Sequence, residues 1–301
     1  MRRLQVLLLA VLACALVAVP AAQAARVQTK AVAQDKAAVQ SYWTAERMRN
    51  AIPAEKVLSG SVAGKPKAPK LAPAQQIPPP YTSAPTRTNG KVFFSDDGSN
   101  YVCSGTAVLS GNSSVVWTAG HCVHDGASNF HTNWTFVPAY ADGSRPYGTW
   151  TARTLLTTSG WANGDFSYDN GAAVVRANGG QALTDVVGGR NIAFNTARNQ
   201  NYAAHGYPAG PPFNGQRLWV CNSPLVYDDT SANPPTMGID CDMTGGSSGG
   251  GWIAGGSVVS VNSYGYRTLP NVMFGPYQGS VAQGLYNQAS SSYFPRINPV
   301  D

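Results

Sequence analysis

Every histidine of this 301-residue chain, at positions 121, 124, 131 and 205, precedes a serine, Ser248, that stands among five glycines. That order constrains the fold more than any other feature. The segment Gly246-Ser247-Ser248-Gly249-Gly250 fits Gly-x-Ser-x-Gly, the turn that exposes a nucleophilic serine in α/β-hydrolases. In those folds the histidine follows the serine, so a chain with no histidine after Ser248 cannot be one of them. What remains is the order His, Asp, Ser. His121 closes the run Val115-Val116-Trp117-Thr118-Ala119-Gly120-His121-Cys122, Asp169 opens the small apolar stretch Asp169-Asn170-Gly171-Ala172-Ala173-Val174-Val175, and Ser248 lies 127 residues beyond His121.

A serine hydroxyl is a poor nucleophile at neutral pH. It needs a base within hydrogen-bond reach, and the base needs a third group to set its tautomer and stabilise the imidazolium. His121 is the candidate base, Asp169 the orienting carboxylate and Ser248 the nucleophile. Asp165 competes with Asp169 but sits in the turn-rich stretch Trp161-Ala162-Asn163-Gly164-Asp165, whereas Asp169 heads the buried-looking run. Ser247 is the other possible nucleophile. Glycines beside the serine let backbone N–H groups converge on an oxyanion without side chains in the way.

On these residues the chain resembles the secreted chymotrypsin-fold serine proteases, nearest their bacterial glutamyl-endopeptidase-like branch, over roughly residues 90–290. Thr244-Gly245-Gly246-Ser247-Ser248-Gly249 matches the Thr-Gly-Gly-Asn/Ser-Ser-Gly pattern of that branch. The resemblance selects Ser248 over Ser247 and implies oxyanion donors at the N–H groups of Gly246 and Ser248. It also implies an all-β fold of two six-stranded antiparallel barrels, with the site in the cleft between them.

Met1-Arg2-Arg3, an apolar run from Leu4 to Val19 and Ala22-Gln23-Ala24 describe a secretory signal peptide over residues 1–24, so a secreted, extracellular protein is expected. Cys14 goes with the signal. Cys103, Cys122, Cys221 and Cys241 are left, an even number in an oxidising compartment, and sequence alone permits three pairings. The resemblance implies Cys103–Cys122 and Cys221–Cys241. His121, His124, Asp125 and His131 cluster, but no Cys-x-x-Cys or His-Glu-x-x-His accompanies them, so neither a metal nor another cofactor is expected.

The net charge of +6 divides unevenly. Residues 1–87 hold 12 Lys and Arg against 3 Asp and Glu, and residues 88–301 hold 9 against 12. A domain at −3 offers no basic patch for nucleic acid. Between the signal and that domain, 31–52 has helix-forming composition with Val39, Tyr42, Trp43 and Met48, and 61–87 is a Pro/Ala/Lys linker. Residues 25–87 therefore read as a pro-segment and linker, and residues 88–301 as the protease domain. Short apolar runs punctuated by Gly, Asn, Ser and Pro fill that domain, Asp96-Asp97-Gly98-Ser99 marks a hairpin, and Val281, Leu285 and Tyr286 suggest a helix over 278–288.

Two departures matter for activation and specificity. Animal trypsin-like members carry, before the nucleophile, an Asp that receives a new N-terminal ammonium; here Ser247 occupies that position. Activation by N-terminal insertion is not expected, and cleavage is expected within Lys70 to Gly90. Counting back six from Ser248 reaches Asp242, which in trypsin-like members lies at the base of the specificity pocket and would favour Arg or Lys. Glutamyl-specific members place a His in the strand after the nucleophile, where this chain has Asn262-Ser263-Tyr264-Gly265. The resemblance assigns Ser263, Tyr264 and Gly265 to pairing with substrate backbone. The expected protein is a monomeric endopeptidase acting on polypeptides through an acyl-enzyme, without stable membrane insertion. The competing class is a catalytically silent secreted binding protein on the same fold, which would usually lack one of His121, Asp169 and Ser248.

Overall fold

The computed structural model describes residues 27–60 and 73–292. The expected signal peptide falls outside the described residues, as does Lys70 at the start of the expected cleavage window. Among the described residues no helix is long and apolar enough to cross a membrane.

Strands β1 (Asn89–Asp96), β2 (Ser99–Val108), β3 (Val115–Thr118), β4 (Thr132–Pro138), β5 (Trp150–Thr158) and β6 (Gly171–Val175) form the first half. They pair antiparallel in the order β5-β6-β3-β2-β1-β4, and β4 returns to β5 at Thr135↔Thr151, which closes a six-stranded barrel. The Asp-Gly signal makes the first hairpin. Asp97 and Gly98 both take positive φ, 43° and 76°, the twist a two-residue hairpin loop needs. All four residues of β3 are buried, and Trp117, Trp134, Trp150 and Phe136 fill the interior.

The second half comprises β7 (Asn201–Gly206), β8 (Trp219–Asp229), β9 (Thr236–Asp240), β10 (Gly251–Ala254), β11 (Ser257–Val261), β12 (Tyr264–Tyr266) and β13 (Leu269–Gly275). Their order is β11-β10-β7-β8-β9-β13-β12, antiparallel throughout. Seven strands stand where six are expected because β11 and β12 are one strand interrupted at Asn262-Ser263. There Asn262 N–H donates to Gly250 O and Asn262 O accepts from Gly249 N–H, while Ser263 N–H donates to Phe274 O. The two disulfides join Cys103 to Cys122 and Cys221 to Cys241, with Cα separations of 6.1 and 5.4 Å. The C-terminal helix is Ser280–Ser291, and it buries Ala282, Leu285 and Ala289 against the first barrel.

The segment before the domain is more ordered than its composition suggests. Val27–Ala31 adds an antiparallel edge strand to β5. The single helix expected over 31–52 is two short ones, Lys36–Tyr42 and Ala45–Asn50, because Thr44 caps the second by accepting from Arg47 N–H and so ends the first. Val39, Trp43 and Met48 are buried with Phe93, Val137 and Tyr140 of the domain. Within the stretch 61–87 expected as a solvated linker, Gln75–Gln76 pairs with β8, and buried Tyr81 accepts from Leu218 N–H and donates to Ile77 O.

Candidate active site

His121 sits in the tight turn Gly120–Cys122 that follows β3, and Asp169 lies just before β6, the strand paired to β3. Strand pairing thus brings the two together across 48 residues of sequence. Asp169 accepts from the His121 backbone N–H at 2.8 Å and from ring Nδ1 at 2.7 Å. It also accepts from the Ser263 hydroxyl. Burial pushes this carboxyl's pKa up, but the neighbouring His121 and the donated hydrogen bonds outweigh it and hold the value below the usual carboxylate range. An ionised Asp169 fixes Nδ1 as the donor, so Nε2 is left as the basic nitrogen. A Cβ on Gly120 would lie 2.5 Å from Trp161 and 2.9 Å from the Asp169 carboxylate, so only glycine fits this turn. The Cys103–Cys122 bond ties the same turn to β2.

Asp165, the competing carboxylate, instead accepts from Ser167 N–H and caps a short turn. Ser247 is committed too: its hydroxyl donates to Thr244 O at 2.8 Å. Ser248 lies against β2, and Gly249 against β2 and the residues that lead to His121. Ser248 O accepts from Ser104 N–H at 2.7 Å, and a Cβ on Gly249 would stand 2.5 Å from Ser104 O and 2.9 Å from Ala119 N. Gly246 and Gly249 have φ of 93° and 80°, which only glycine adopts readily. Among the described residues the N–H groups of Gly246 and Ser248 donate to no backbone carbonyl, which keeps both available to an external oxygen.

A cleft of about 290 Å³ runs beside Ser248, walled by Met243, Tyr264, Val272 and Met273 and floored by Ser263–Gly265. Asp242 is not part of it. The Asp242 carboxylate accepts from Ala74 N–H at 2.7 Å and so docks the end of the linker. Ser263 takes a role that sequence reasoning did not foresee, since its side chain turns to Asp169 while Tyr264 and Gly265 border the cleft. Trp161 was also missed. Its ring stands edge-on to His121 at 5.9 Å between centroids, and no sequence signal separates it from an ordinary core aromatic.

The cleft is occupied by the chain itself. Val57–Leu58 pairs parallel with β12, Gly265 N–H donating to Lys56 O and Arg267 N–H to Leu58 O, each at 3.0 Å. Upstream, Ile52–Pro53 pairs parallel with β2 at Tyr101 and Val102. Between these contacts the Ser248 hydroxyl donates to Ala54 O at 3.0 Å, and among the described residues the buried Nε2 of His121 has no hydrogen-bond partner.

A crystal structure of the protease Anisep from Arthrobacter nicotinovorans aligns with a TM-score of 0.67 at 47% identity, over 70% of this chain and 99% of that one. The chain belongs to the chymotrypsin-fold serine proteases. The thermostable serine protease AL20 from an extremophilic microorganism aligns similarly, at 49% identity and a TM-score of 0.66, over 69% of this chain and 98% of that one. A glutamyl endopeptidase shares the fold at 20% identity and a TM-score of 0.59, over 72% of this chain and 96% of its own. An extracellular metalloprotease of Bacillus subtilis (strain 168) is 26% identical over 152 residues, half of this chain, which spans 47% of that relative's length. No family model matches the chain. Among the described residues the one cluster of His, Cys and carboxylate donors is Cys103, His121 and Cys122, and its two sulfurs are joined to each other. Of the other histidines, His124 Nδ1 accepts from Gly126 N–H and His131 Nε2 bonds His121 O.

Proposed function

We propose that the protein is a secreted serine endopeptidase, made with a covering pro-segment, in which Ser248 attacks the peptide carbonyl, His121 carries the proton and Asp169 orients His121. The observation that carries this reading is the buried Asp169–His121 pair at 2.7 Å, with Nε2 left, among the described residues, without a hydrogen-bond partner. Nε2 takes the Ser248 proton as Oγ bonds to the carbonyl carbon, and the resulting oxyanion is met by the N–H groups of Gly246 and Ser248. His121 then returns the proton to the leaving amine. Water, deprotonated by the same nitrogen, releases the acyl group and restores Ser248. Asp169 stays ionised throughout, since burial alone would neutralise it and its three donors prevent that.

The silent binding-protein alternative loses its rationale when His121, Asp169 and Ser248 are all present. Polypeptides are the partners this chemistry requires, bound along β12. The acidic domain gives no support to a nucleic-acid partner, and nothing in the mechanism calls for a second subunit. In the chain freed of residues 27–60, Ser248→Ala should lower peptide hydrolysis by about three orders of magnitude or more, with near- and far-ultraviolet dichroism unchanged. Near-full activity in that variant would overturn the assignment.

A further inference from the structure

Residues 51–58 touch the machinery where chemistry would start, yet in a way that stops it. Attack requires Oγ to face a carbonyl carbon while the carbonyl oxygen lies on the Gly246 and Ser248 N–H groups. Here the Ala54 carbonyl presents its oxygen to the Ser248 hydroxyl and takes the hydrogen bond that His121 would otherwise receive. The same strap fills the edge of β12 in a parallel register and occupies the Gly265 and Arg267 N–H groups. Ala54 is further held by its own N–H donating to Val102 O at 2.9 Å, on β2 of the first barrel. The strap therefore bridges both walls of the cleft.

The contacts that hold it lie outside residues 61–72. Val39, Trp43 and Met48 are each 3% exposed or less, packed with domain residues, and Trp43 Nε1 donates to Asn133 O. Val27–Ala31 is hydrogen-bonded along β5, and Gln34 and Asn133 exchange two hydrogen bonds. On the far side of residues 61–72 the chain is again docked, through Ala74, Gln75–Gln76 and Tyr81. A cut between the two docked stretches breaks none of these contacts.

We propose that residues 27–60 form a non-covalent inhibitor that stays in the cleft after the linker is cut, so that dissociation or digestion of the segment, and not linker scission, uncovers Ser248. This rests on the protease reading above. The freed site would equally accept the same segment from another copy of the chain.

A recognition sequence for an unrelated, highly specific protease inserted within residues 61–72 allows the folded full chain to be cut once. The pieces should co-elute on gel filtration, hydrolyse a chromogenic peptide at under about 5% of the rate reached once the segment is digested away, and gain specific activity on serial dilution. Amide exchange at Gly265 and Arg267 should remain slow in the cut complex. Trp43→Ala should raise the concentration at which activity appears by about tenfold or more. Ala54→Pro, which removes the bond to Val102 without opening the core, should act in the same direction if the Trp43 variant does not fold. Full activity in the cut, co-eluting complex would overturn the inference, as would immediate separation of the pieces at micromolar concentration. If exchange shows the segment gone and Ser248 still neither hydrolyses peptide nor reacts with a fluorophosphonate, the protease reading is what fails.

Discussion

Asp169, from its place in the sequence, and Asp242, from the family resemblance, were both candidates for the site, and their surroundings give them opposite work. Asp169 is fully buried and receives three hydrogen bonds, so its charge is fixed beside His121. Asp242 is half-buried and spends its charge on the Ala74 N–H. Asp242→Asn in the freed enzyme should therefore leave kcat/KM for Arg and Lys substrates within about twofold, since an amide oxygen can still accept that bond. A selective collapse toward basic substrates would return Asp242 to the pocket. Ser263→Ala removes a donor to Asp169 while the backbone of the cleft floor stays in place, so kcat should fall by a larger factor than KM changes. Steady-state kinetics separates the two effects.

Lys91 belongs to the same scale. It is 2% exposed, donates to Gly215 O at 2.9 Å, and burial brings its pKa down to about 7. Its folded value is depressed, so between pH 7 and the ordinary lysine value near 10.5 the unfolded chain holds the extra proton. Stability should then rise with pH across that window as the penalty of the buried charge is relieved. Urea midpoints at pH 7 and pH 9 should show this rise in the wild type and lose it in Lys91→Met.

At the scale of elements, β-strands and turns were legible and their partners were not. Asp-Gly in the first hairpin and the buried Val-Val-Trp run declare themselves because turn chemistry and hydrophobic runs act over a few residues. The helix expected over 31–52 was legible only as a tendency: the Thr44 cap divides it, and Trp43 at the break is buried in a core made by other elements. The disulfide beside His121 illustrates what an element contributes to the site. It closes a loop with a sequence separation of 19 and holds the turn that carries His121 on β2. Replacing both Cys103 and Cys122 by Ser should cost about 2–4 kcal/mol in denaturant unfolding. In the C-terminal helix, Leu285→Ala should cost about 2–5 kcal/mol, because Leu285 is fully buried against the first barrel.

Across the whole molecule, the N-terminal segment lies on both halves of the domain: Val27–Ala31 and Ile52–Pro53 on the first barrel, Val57–Leu58 on the second sheet. A ligand that binds only the folded state raises its stability, and a tethered one does so at high effective concentration. Calorimetry should show the full chain unfolding several degrees above the chain freed of residues 27–60, with a transition that becomes protein-concentration dependent once the linker is cut.

By itself the sequence determined the all-β character of the domain and its resemblance to the serine proteases, and it nominated His121, Asp169 and Ser248 as a set. Those inferences rest on residue types and on spacings along the chain, where local physics suffices. Only the tertiary structure decided that Ser263 turns to Asp169, that Asp242 leaves the cleft, and that Ala54 lies on Ser248 across 194 residues of sequence. Each is a contact between segments distant in the chain. Its geometry is set by how strands pair and how large side chains such as Trp43 pack, and no short-range pattern encodes that.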